Sequence, residues 1–285
     1  MSFQTELRVT RVPEKRPHMK FIRCAAFCLF GFLNAAFANG TVPATPLTYA
    51  HWNIGHFALG TNDYSSVPMA ESDQRAREYR ALINGLQADV IGCCEFDPVF
   101  DCGGGEATEK LFPDYDTKSP GPKNDYQCNA IFSRNLKRVD YAIVNYTNRF
   151  QPTYFIDATY LVNGREVHFV QTHLDWNTNA KATKARPEQI RQLIEYFSAK
   201  SHVVIAGDFN VYSASEYAPF TKAGYQLASC GSRGEVKTVQ ADSNPFRAID
   251  NIIVKGFSIS DVRLADEKHA LSDHSVLLSV LEMLP

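Results

Sequence analysis

The sequence predicts an α/β fold built of mixed layers. Nine apolar runs rich in β-branched and aromatic residues predict strands, and two longer segments with apolar residues three or four apart predict helices. The pair Asn163 and Gly164 predicts a tight hairpin between two of the strands. Helices interleaved with strands favour mixed layers over an all-β sandwich, and the hairpin indicates that much of the sheet is antiparallel.

The predicted strands extend from the first apolar run of the main domain to the end of the chain. They are residues 49–54, 89–94, 129–132, 139–144, 155–161, 166–173, 203–206, 248–254 and 275–281. The turn at 162–165 joins the fifth and sixth of these runs. Its Asn-Gly pair suits a type I′ turn, in which both central residues adopt positive φ.

Two helices are predicted between the strands. The first covers 72–86, where five apolar residues recur at helical spacing and form one buried face: Ala76, Tyr79, Leu82, Ile83 and Leu86. The second is predicted to begin at Pro187, because proline suits the first turn of a helix. Its apolar stripe consists of Ile190, Leu193, Ile194 and Phe197.

The N-terminal region has the pattern of a secretory signal peptide with its core at 19–38. The basic residues Lys20 and Arg23 lie just before an apolar stretch at 24–37. Residues 36–38 form a small-x-small cleavage site. The apolar stretch is shorter than the roughly 20 residues that cross a bilayer. We therefore expect cleavage, no stable membrane anchor afterwards, and a secreted or periplasmic protein.

The remainder of the chain is predicted to form one domain at 47–285, after an extension and signal at 1–38 and a linker at 39–46. An apolar fraction of 45% and a charged fraction of 21% are typical of globular proteins. Residues 1–38 hold six of the 29 basic and two of the 31 acidic residues, so the mature chain carries a net charge of −6. Any nucleic acid must then be bound by a local group of residues or through a bound cation.

Two of the seven cysteines lie in the predicted signal, and five remain in an exported chain that can oxidise. Cys102 and Cys128 lie in polar, Gly/Pro-rich surroundings and are predicted to form a disulfide. Cys93 and Cys94 lie in a strand-like apolar run and are predicted to be buried thiols. The absence of a Cys-x-x-Cys pair disfavours structural zinc.

Polar clusters occur where the predicted strands begin or end. They are His51-Trp52-Asn53-Ile54, Cys94-Glu95-Phe96-Asp97, Thr172-His173-Leu174-Asp175, Gly207-Asp208-Phe209-Asn210, and the pair Ile249-Asp250-Asn251 with Ser272-Asp273-His274. Strand ends that meet at one edge of a sheet aim side chains from distant sequence positions at one point. We therefore expect an active site at such an edge.

The chemistry of these clusters favours phosphate-ester hydrolysis. Oxygen donors such as Glu95 and Asp273 suit Mg²⁺, Mn²⁺ or Ca²⁺, and the absence of a dense histidine or thiolate cluster disfavours zinc. A paired aspartate and histidine holds an imidazole in one tautomer and favours its cation. A metal, an oriented water and an imidazolium together supply charge neutralisation, a nucleophile and stabilisation of the phosphate oxygens.

The ordered set WNI, E, THL, GDFN, IDNI and SDH resembles the endonuclease/exonuclease/phosphatase superfamily over residues 52–274. Members include pancreatic-type deoxyribonucleases, abasic-site endonucleases, neutral sphingomyelinases, inositol-polyphosphate 5-phosphatases and the nuclease subunit of cytolethal distending toxin. The spacing of Arg186, Gln189 and Leu193 is also similar to a family pattern. The fold implied is a four-layer α/β sandwich, with two mixed, mostly antiparallel sheets packed face to face and helices outside.

The resemblance implies a metal site for Mg²⁺, Mn²⁺ or Ca²⁺. Glu95 would be the principal ligand, with Asn53 and Asp273 beside it. Many members of the family carry glutamine or asparagine where this chain has Cys94. The residue next to Glu95 that would support it as a metal ligand therefore differs here.

The resemblance also implies the catalytic residues. Asp208 would position and deprotonate the attacking water, and Asn210 would orient Asp208 or the phosphate. His274, held by Asp250, and His173 would donate hydrogen bonds to the phosphate oxygens as charge builds.

Other polar residues are interpreted as structural or left as candidates. The residue that assists His173 in some nucleases has no motif here, and the candidates are Tyr154, Asp157 and Tyr160. The remaining histidines have no matching motif position and are interpreted as structural: His51, His56, His168, His202 and His269.

The function expected is that of an exported, divalent-metal-dependent phosphodiesterase of nuclease type. Its partner would be a phosphate ester, with nucleic acid favoured and a phospholipid headgroup as an alternative, and the protein is expected to be a monomer. The alternatives are a sphingomyelinase-like or inositol-phosphate phosphatase-like hydrolase, and a catalytically inactive binding protein on the same fold. The loops at 100–127 and 230–246 would choose the substrate, and they carry no motif that identifies it.

Overall fold

The computed structural model describes residues 7–12, 45–57, 69–98, 106–122, 128–147, 153–176, 180–240 and 244–285. In chain order its elements are β1 Arg8–Arg11, β2 Leu47–Asn53, α1 Met69–Leu86, β3 Val90–Cys94, α2 Ala107–Leu111, β4 Thr117–Pro120, β5 Ala130–Ser133, β6 Lys137–Asn145, β7 Tyr154–Val162, β8 Arg165–His173, α3 Ala180–Tyr196, β9 Val203–Asp208, α4 Ala218–Lys222, β10 Gln226–Leu227, β11 Asp250–Lys255, β12 Phe257–Ala265 and β13 Val276–Met283. The predicted signal core at 19–38 lies outside the described residues, as does 39–44 of the predicted linker.

The strands form two mixed sheets. The first has the order β1-β6-β7-β8-β9-β11-β10, and the second has the order β12-β13-β2-β3-β5-β4. In the first sheet β8 and β9 are parallel, in the second β2 and β3 are parallel, and every other neighbouring pair is antiparallel. Each sheet therefore has one parallel pair near its centre.

Three apolar cores separate four layers. One core lies between the sheets, where residues such as Tyr49 and Leu277 face Phe169 and Ile252. A second packs α1 and α2 against the outer face of the β2–β3 sheet, and a third packs α3 and α4 against the outer face of the β8–β9 sheet. The predicted four-layer α/β sandwich, with mostly antiparallel sheets face to face and helices outside, is confirmed.

The hairpin between β7 and β8 also follows the sequence. Val162 pairs with Arg165, and the two residues between them, Asn163 and Gly164, have φ of 51° and 77°. Positive φ at both central positions is the requirement of a type I′ turn, which asparagine and glycine meet at low steric cost.

The predicted start of the second helix was wrong. The helix α3 begins at Ala180 and contains Pro187 in its interior. The preceding segment Ala180–Arg186 is rich in alanine and lysine, which are strong helix formers, so the helix extends backwards past the proline. Pro187 lacks the N–H that would otherwise bond to the preceding turn.

Four strands were not predicted, namely β1, β4, β10 and β12. The most N-terminal, β1, lies in the extension ahead of the predicted signal and adds to the edge of the first sheet, where Val9 pairs with Val144. The longest, β12, forms the edge of the second sheet and pairs only with β13. Within the described ranges, none of the helices combines the length and the apolar character that crossing a membrane requires.

Candidate active site

The two parallel strand pairs bring the predicted site residues together. Asn53 ends β2 beside Cys94 at the end of β3, and His173 ends β8 directly opposite Asp208 at the end of β9. Asp250 begins β11 and pairs with Asp208. Because parallel strands end at the same edge, the side chains from both sheets meet at one end of the space between them.

Asp250 and His274 form a fully desolvated ion pair. His274 Nδ1 donates to Asp250 Oδ2 at 2.7 Å, and the two residues are 6% and 0% exposed. Burial alone would lower the pKa of His274, but the charge and hydrogen bond of Asp250 raise it to about 10. Burial would likewise raise the pKa of Asp250, but His274 and its hydrogen bond lower it. The pair is therefore a carboxylate and an imidazolium at neutral pH.

His51 also belongs to this network, although the sequence suggested a structural role apart from the site. Its Nε2 lies 2.9 Å from Asp250 Oδ1, and Gln171 Nε2 lies 3.1 Å from its Nδ1. Thr238 Oγ1 donates to Asp250 Oδ2 at 2.6 Å. Both oxygens of Asp250 are thus satisfied. One signal was available, because residues two apart on a strand share a face and His51 precedes Asn53 by two.

Asn53 connects the site residues of the two sheets. Its Nδ2 donates to Glu95 Oε1 at 3.0 Å and to Asp208 Oδ2 at 3.2 Å, and it lies 3.5 Å from His274 Nε2. Its Oδ1 accepts from Gly55 N at 3.1 Å. In this orientation the Asn53 amide N–H, rather than its oxygen, faces the carboxylates. Asn53 can therefore bind a metal through its oxygen only if the side-chain amide flips.

His173 lies on the other side of the same carboxylates. Its Nε2 is 3.6 Å from Asp208 Oδ2 and 3.9 Å from Glu95 Oε1. His274 Nε2 is 3.8 Å from the same Asp208 oxygen. Two imidazoles and one amide therefore converge on the Asp208 carboxylate, which is 2% exposed.

The backbone conformations that end β3 and β9 are constrained. Glu95 and Asn210 have φ of 53° and 50°, in the left-handed region that glycine and asparagine accept more readily than glutamate. Asn210 N donates to Asp208 Oδ1 at 2.9 Å, and Asn210 Nδ2 donates to Leu174 O at 3.1 Å. The orienting role predicted for Asn210 toward Asp208 fits the backbone bond, whereas the side chain ties the β8 and β9 loops together.

Asp273 lies beside the end of β2 and is half-buried. Ser272 Oγ donates to Asn53 O at 2.7 Å and lies 3.4 Å from Asp273 Oδ1. A Cβ placed on Gly55 would lie 3.5 Å from that same Asp273 oxygen. The Ser272 hydroxyl therefore lies between the Asn53 carbonyl and the Asp273 carboxylate, and the metal-binding role of Asp273 stays a prediction.

Asp208 is a buried acid and Glu95 a partly buried one, with a side chain that is 21% exposed, and both have raised pKa values. Burial is the largest cause for both and raises the pKa of Glu95 to about 7 and that of Asp208 to about 6. The neighbouring Asp250 charge further raises the pKa of Asp208, and the Asp208 and Asp273 charges raise that of Glu95. Desolvated carboxylates that repel each other gain most from a hard cation, which replaces lost hydration.

The carboxylate oxygens of Glu95 and Asp273 are donors of the type that Mg²⁺, Mn²⁺ or Ca²⁺ prefers, and Asn53 would add an oxygen only after its amide turns. A second grouping is also compact, because Asp208, Asp250 and His274 each offer an atom within 4.8 Å of the others. That grouping suits a metal less well. His274 is protonated through its bond to Asp250, and a protonated imidazole has no lone pair to donate.

Two of the candidates proposed to assist His173 have other partners. Asp157 pairs with His168 Nδ1 at 2.8 Å on the outer face of the first sheet, where both line a cavity of ≈ 850 Å³. Tyr154 donates its hydroxyl to Pro122 O and accepts from Asn129 N. The candidate Tyr160 lies in the core between the sheets.

The cysteine predictions are tested in part. Cys93 and Cys94 are buried thiols, as expected, and burial raises the pKa of each. The predicted disulfide between Cys102 and Cys128 stays a prediction, because Cys102 lies outside the described residues.

Solved structures with the same fold are numerous. An endonuclease/exonuclease/phosphatase from Beutenbergia cavernae DSM 12333 is 17% identical with a TM-score of 0.63, covering 84% of this chain and 72% of that one. The human Nocturnin catalytic domain with bound sulfate anion is 18% identical with a TM-score of 0.65, covering 84% and 94%. D. rerio TDP2 complexed with single strand DNA product is 16% identical with a TM-score of 0.62, covering 84% and 100%. Identities this low establish the fold alone.

The sequence comparison identifies the family. Comparison with curated protein sequences gives no match. The sequence model of the Endonuclease/Exonuclease/phosphatase family matches residues 50–274, which include the carboxyl ends of both parallel strand pairs and the Asp250–His274 pair. The chain therefore belongs to the endonuclease/exonuclease/phosphatase family.

Proposed function

We propose that this chain is an exported, divalent-metal-dependent phosphodiesterase of nuclease type. The observation that carries the proposal is the contact of Asn53 Nδ2 with Glu95 Oε1 and Asp208 Oδ2, at 3.0 and 3.2 Å, beside the His274 imidazolium. The partly buried Glu95 and the buried Asp208, which would hold a metal ion and orient a water, lie next to an imidazolium that would donate to a phosphate oxygen. That arrangement fits hydrolysis of a phosphate ester.

Asp208 would accept a proton from water. Burial raises the pKa of Asp208 above that of an exposed aspartate, which brings it closer to neutral pH. General-base catalysis is most effective when the pKa of the base lies near the working pH. The Asn210 backbone N–H holds one oxygen, which leaves Oδ2 directed toward Asn53 and the two imidazoles.

His274 would donate a hydrogen bond to a phosphate oxygen. Its Nδ1 is committed to Asp250, so Nε2 carries the second N–H of the imidazolium and faces the site. A preorganised charged donor gains strength as negative charge grows on the transition-state oxygens. His173 Nε2 lies near the same carboxylate and supplies a second donor.

Glu95, Asp273 and Asn53 would hold the divalent cation. When bound, the cation supplies neutralisation of phosphate charge and lowers the pKa of coordinated water. The raised pKa of Glu95 supports this assignment, because a carboxylate that is costly to ionise alone is relieved by a nearby cation.

Three further observations support the nuclease type and export. The similar TDP2 structure contains a single strand DNA product, and the similar Nocturnin structure contains a sulfate anion, a phosphate-like tetrahedral oxyanion. The charge of −6 predicted for the mature chain does not itself favour a polyanion, so the proposal requires that nucleic acid be bound by a local group of residues or through a bound cation. The pattern at 19–38 supports export.

The test is a substrate screen with purified protein in Mg²⁺, Mn²⁺ or Ca²⁺, each with a chelator control. The nuclease proposal expects nicking of plasmid DNA or cleavage of RNA, stopped by chelator. Cleavage of neither under any metal would refute it. Release of phosphocholine from sphingomyelin, or of inorganic phosphate from inositol phosphates, in place of nucleic-acid cleavage would assign a different ester class.

Export has its own test. The chain expressed from Met1 or Met19 in a secreting host should appear outside the cytoplasm with a new N-terminus at Asn39. Intact-mass measurement and N-terminal sequencing distinguish this outcome from retention of the uncleaved chain, which would contradict the signal proposal.

A further inference from the structure

Two aromatic side chains are exposed beside the candidate active site. Trp176 is 51% exposed and Tyr212 is 39% exposed, and among the described residues they are the only exposed aromatic side chains. The exposed aliphatic side chain of Leu161 in β7 lies elsewhere. Leu161 is next to the β7–β8 turn, at the opposite end of β8 from His173. The exposed apolar surface at the site is therefore aromatic in character.

The position of these two residues follows from the parallel strand pair. His173 and Asp208 are register partners at the ends of β8 and β9. Trp176 follows His173 by three residues, and Tyr212 follows Asp208 by four. The two loops that carry the rings leave the sheet at the edge where the site lies. They are held together by Asn210 Nδ2, which donates to Leu174 O.

Arg186 of α3 links the two loops directly. Its Cζ lies 5.0 Å from the centroid of the Tyr212 ring, and its Nη1 donates to the carbonyl of Asp175 at 3.0 Å. The residue is 1% exposed, so Tyr212 covers one side of a buried guanidinium and keeps 39% of its own surface in solvent. This cation–π contact fixes the ring while its remaining surface stays available.

Both loops are also fixed through their backbones. Glu216 Oε1 accepts from Tyr212 N at 2.7 Å. Gln189 of α3 contacts Asp175 twice, with Oε1 accepting from Asp175 N at 3.3 Å and Nε2 donating to Asp175 Oδ2 at 2.9 Å. Asp175, which precedes Trp176, and the backbone of Tyr212 are therefore each held by hydrogen bonds, which lowers the conformational entropy lost when a ligand stacks at these positions.

We propose that Trp176 and Tyr212 form a stacking subsite for unpaired nucleobases next to the scissile phosphate. The inference rests on the proposed phosphodiesterase function and names its substrate class as single-stranded nucleic acid. Base faces in a duplex are covered by neighbouring base pairs, whereas unpaired bases offer both faces to aromatic side chains. Stacking is also tolerant of sequence, because every base has an aromatic face.

The first experiment measures the binding of a fluorescently labelled 12-nucleotide single-stranded DNA by fluorescence anisotropy. Every protein carries His274→Ala, which prevents turnover, and Mg²⁺ is present. Trp176→Ala and Tyr212→Ala should each remove the stacking of one base and weaken binding about fivefold to hundredfold. Trp176→Phe and Tyr212→Phe keep an aromatic face and should bind nearly as tightly as the parent. Leu161→Ala is the matched surface control, because Leu161 lies in β7 next to the β7–β8 turn, far from His173.

A second measurement uses the tryptophans themselves. The chain has two tryptophans, of which Trp52 is fully buried and Trp176 is exposed. Single-stranded DNA should quench the Trp176 emission, an abasic oligonucleotide with the same backbone should not, and a duplex of equal length should quench less at equal concentration. Equal quenching by the abasic oligonucleotide would overturn the proposal, because the backbone alone would then account for it.

Kinetics separate this inference from the proposed function. In otherwise wild-type protein, Trp176→Ala and Tyr212→Ala should raise KM for single-stranded DNA, change kcat little, and leave KM for an abasic oligonucleotide unchanged. Metal-dependent cleavage with the same KM in both alanine variants and the parent would refute the stacking subsite and leave the phosphodiesterase function standing. Absence of cleavage of any nucleic acid would refute the function, while the binding experiments would still decide the subsite.

Discussion

His51 and His274 approach opposite oxygens of one carboxylate. His51 Nε2 lies 2.9 Å from Asp250 Oδ1, and His274 Nδ1 lies 2.7 Å from Asp250 Oδ2. His51 and Asp250 are both fully buried, so neither oxygen can exchange its partner for water. The carboxylate that orients the His274 imidazole is therefore also held by His51, and we expect His51 to act as a positioning residue in the proposed reaction.

His51→Ala should lower both stability and turnover. The substitution leaves Asp250 Oδ1 buried without its donor, which costs about 1–3 kcal/mol of unfolding free energy. If a similar free energy is lost from the alignment of His274, kcat falls about tenfold to hundredfold. Urea denaturation and kcat on an active substrate measure the two effects. His51→Gln retains an N–H donor and should recover part of both, while wild-type values for His51→Ala would show that the contact is incidental.

His274→Ala should lower turnover by orders of magnitude. It should also lower the free energy of unfolding by about 3–5 kcal/mol, because it leaves the Asp250 carboxylate buried without its imidazolium partner. Removal of a positioned acid or charged donor costs about 10²- to 10⁴-fold in rate. The matched histidine control is His269→Asn, whose left-handed backbone, with φ of 52°, asparagine accepts. Steady-state kinetics on the same substrate should show a large loss for His274→Ala and none for His269→Asn. Equal rates for the two variants would remove His274 from the mechanism.

The fold was predictable because its central strands are buried and carry apolar residues. The strands β3 and β9 appear in the sequence as nearly continuous apolar runs, whereas in β2 and β8 apolar residues are interspersed with polar ones. Their polar ends then mark the site. In contrast, β12 is an edge strand with one solvated side, and its serine, aspartate and arginine residues hide it from a search for apolar runs.

The site was only partly predictable because its support comes from distant positions. The eight motif residues are located by their order in the chain, but His51 and Asp250 are 199 residues apart and their contact leaves no local pattern. Asp157 illustrates the opposite error. It is suitable chemically as a partner of His173, yet the pleat of β7 directs it to the outer face and to His168.

Divalent metal should stabilise the protein, and Glu95→Gln should abolish most of the effect. A ligand that binds only the folded state stabilises it by about 2.7 kcal/mol at 100 times its Kd. Thermal unfolding at pH 8 should therefore show a higher Tm in Mg²⁺ or Mn²⁺ than in chelator. The Glu95→Gln variant keeps the size of the side chain and removes its charge. An equal metal-induced shift in the variant would move the metal site away from Glu95.

The stability of metal-free protein should carry a pH dependence that comes from Glu95. Burial raises the pKa of this carboxyl in the folded protein to about 7, against an ordinary value of 4.5. Between these two values the folded state binds more protons than the unfolded state. The contribution of Glu95 to the free energy of unfolding therefore falls as pH rises from about 4.5 to about 7, by up to about 3 kcal/mol.

Glu95→Gln isolates this contribution, because glutamine does not titrate. In chelator, the variant should gain stability relative to wild type as pH rises from 4.5 to 8, when both are measured by urea denaturation. Asp208→Asn tests the neighbouring carboxyl in the same way and should show a smaller gain, because burial raises the pKa of Asp208 only to about 6. A stability difference between Glu95→Gln and wild type that is constant over this range would mean that Glu95 titrates as an exposed glutamate does. In that case desolvation would not be what prepares this carboxylate for a cation.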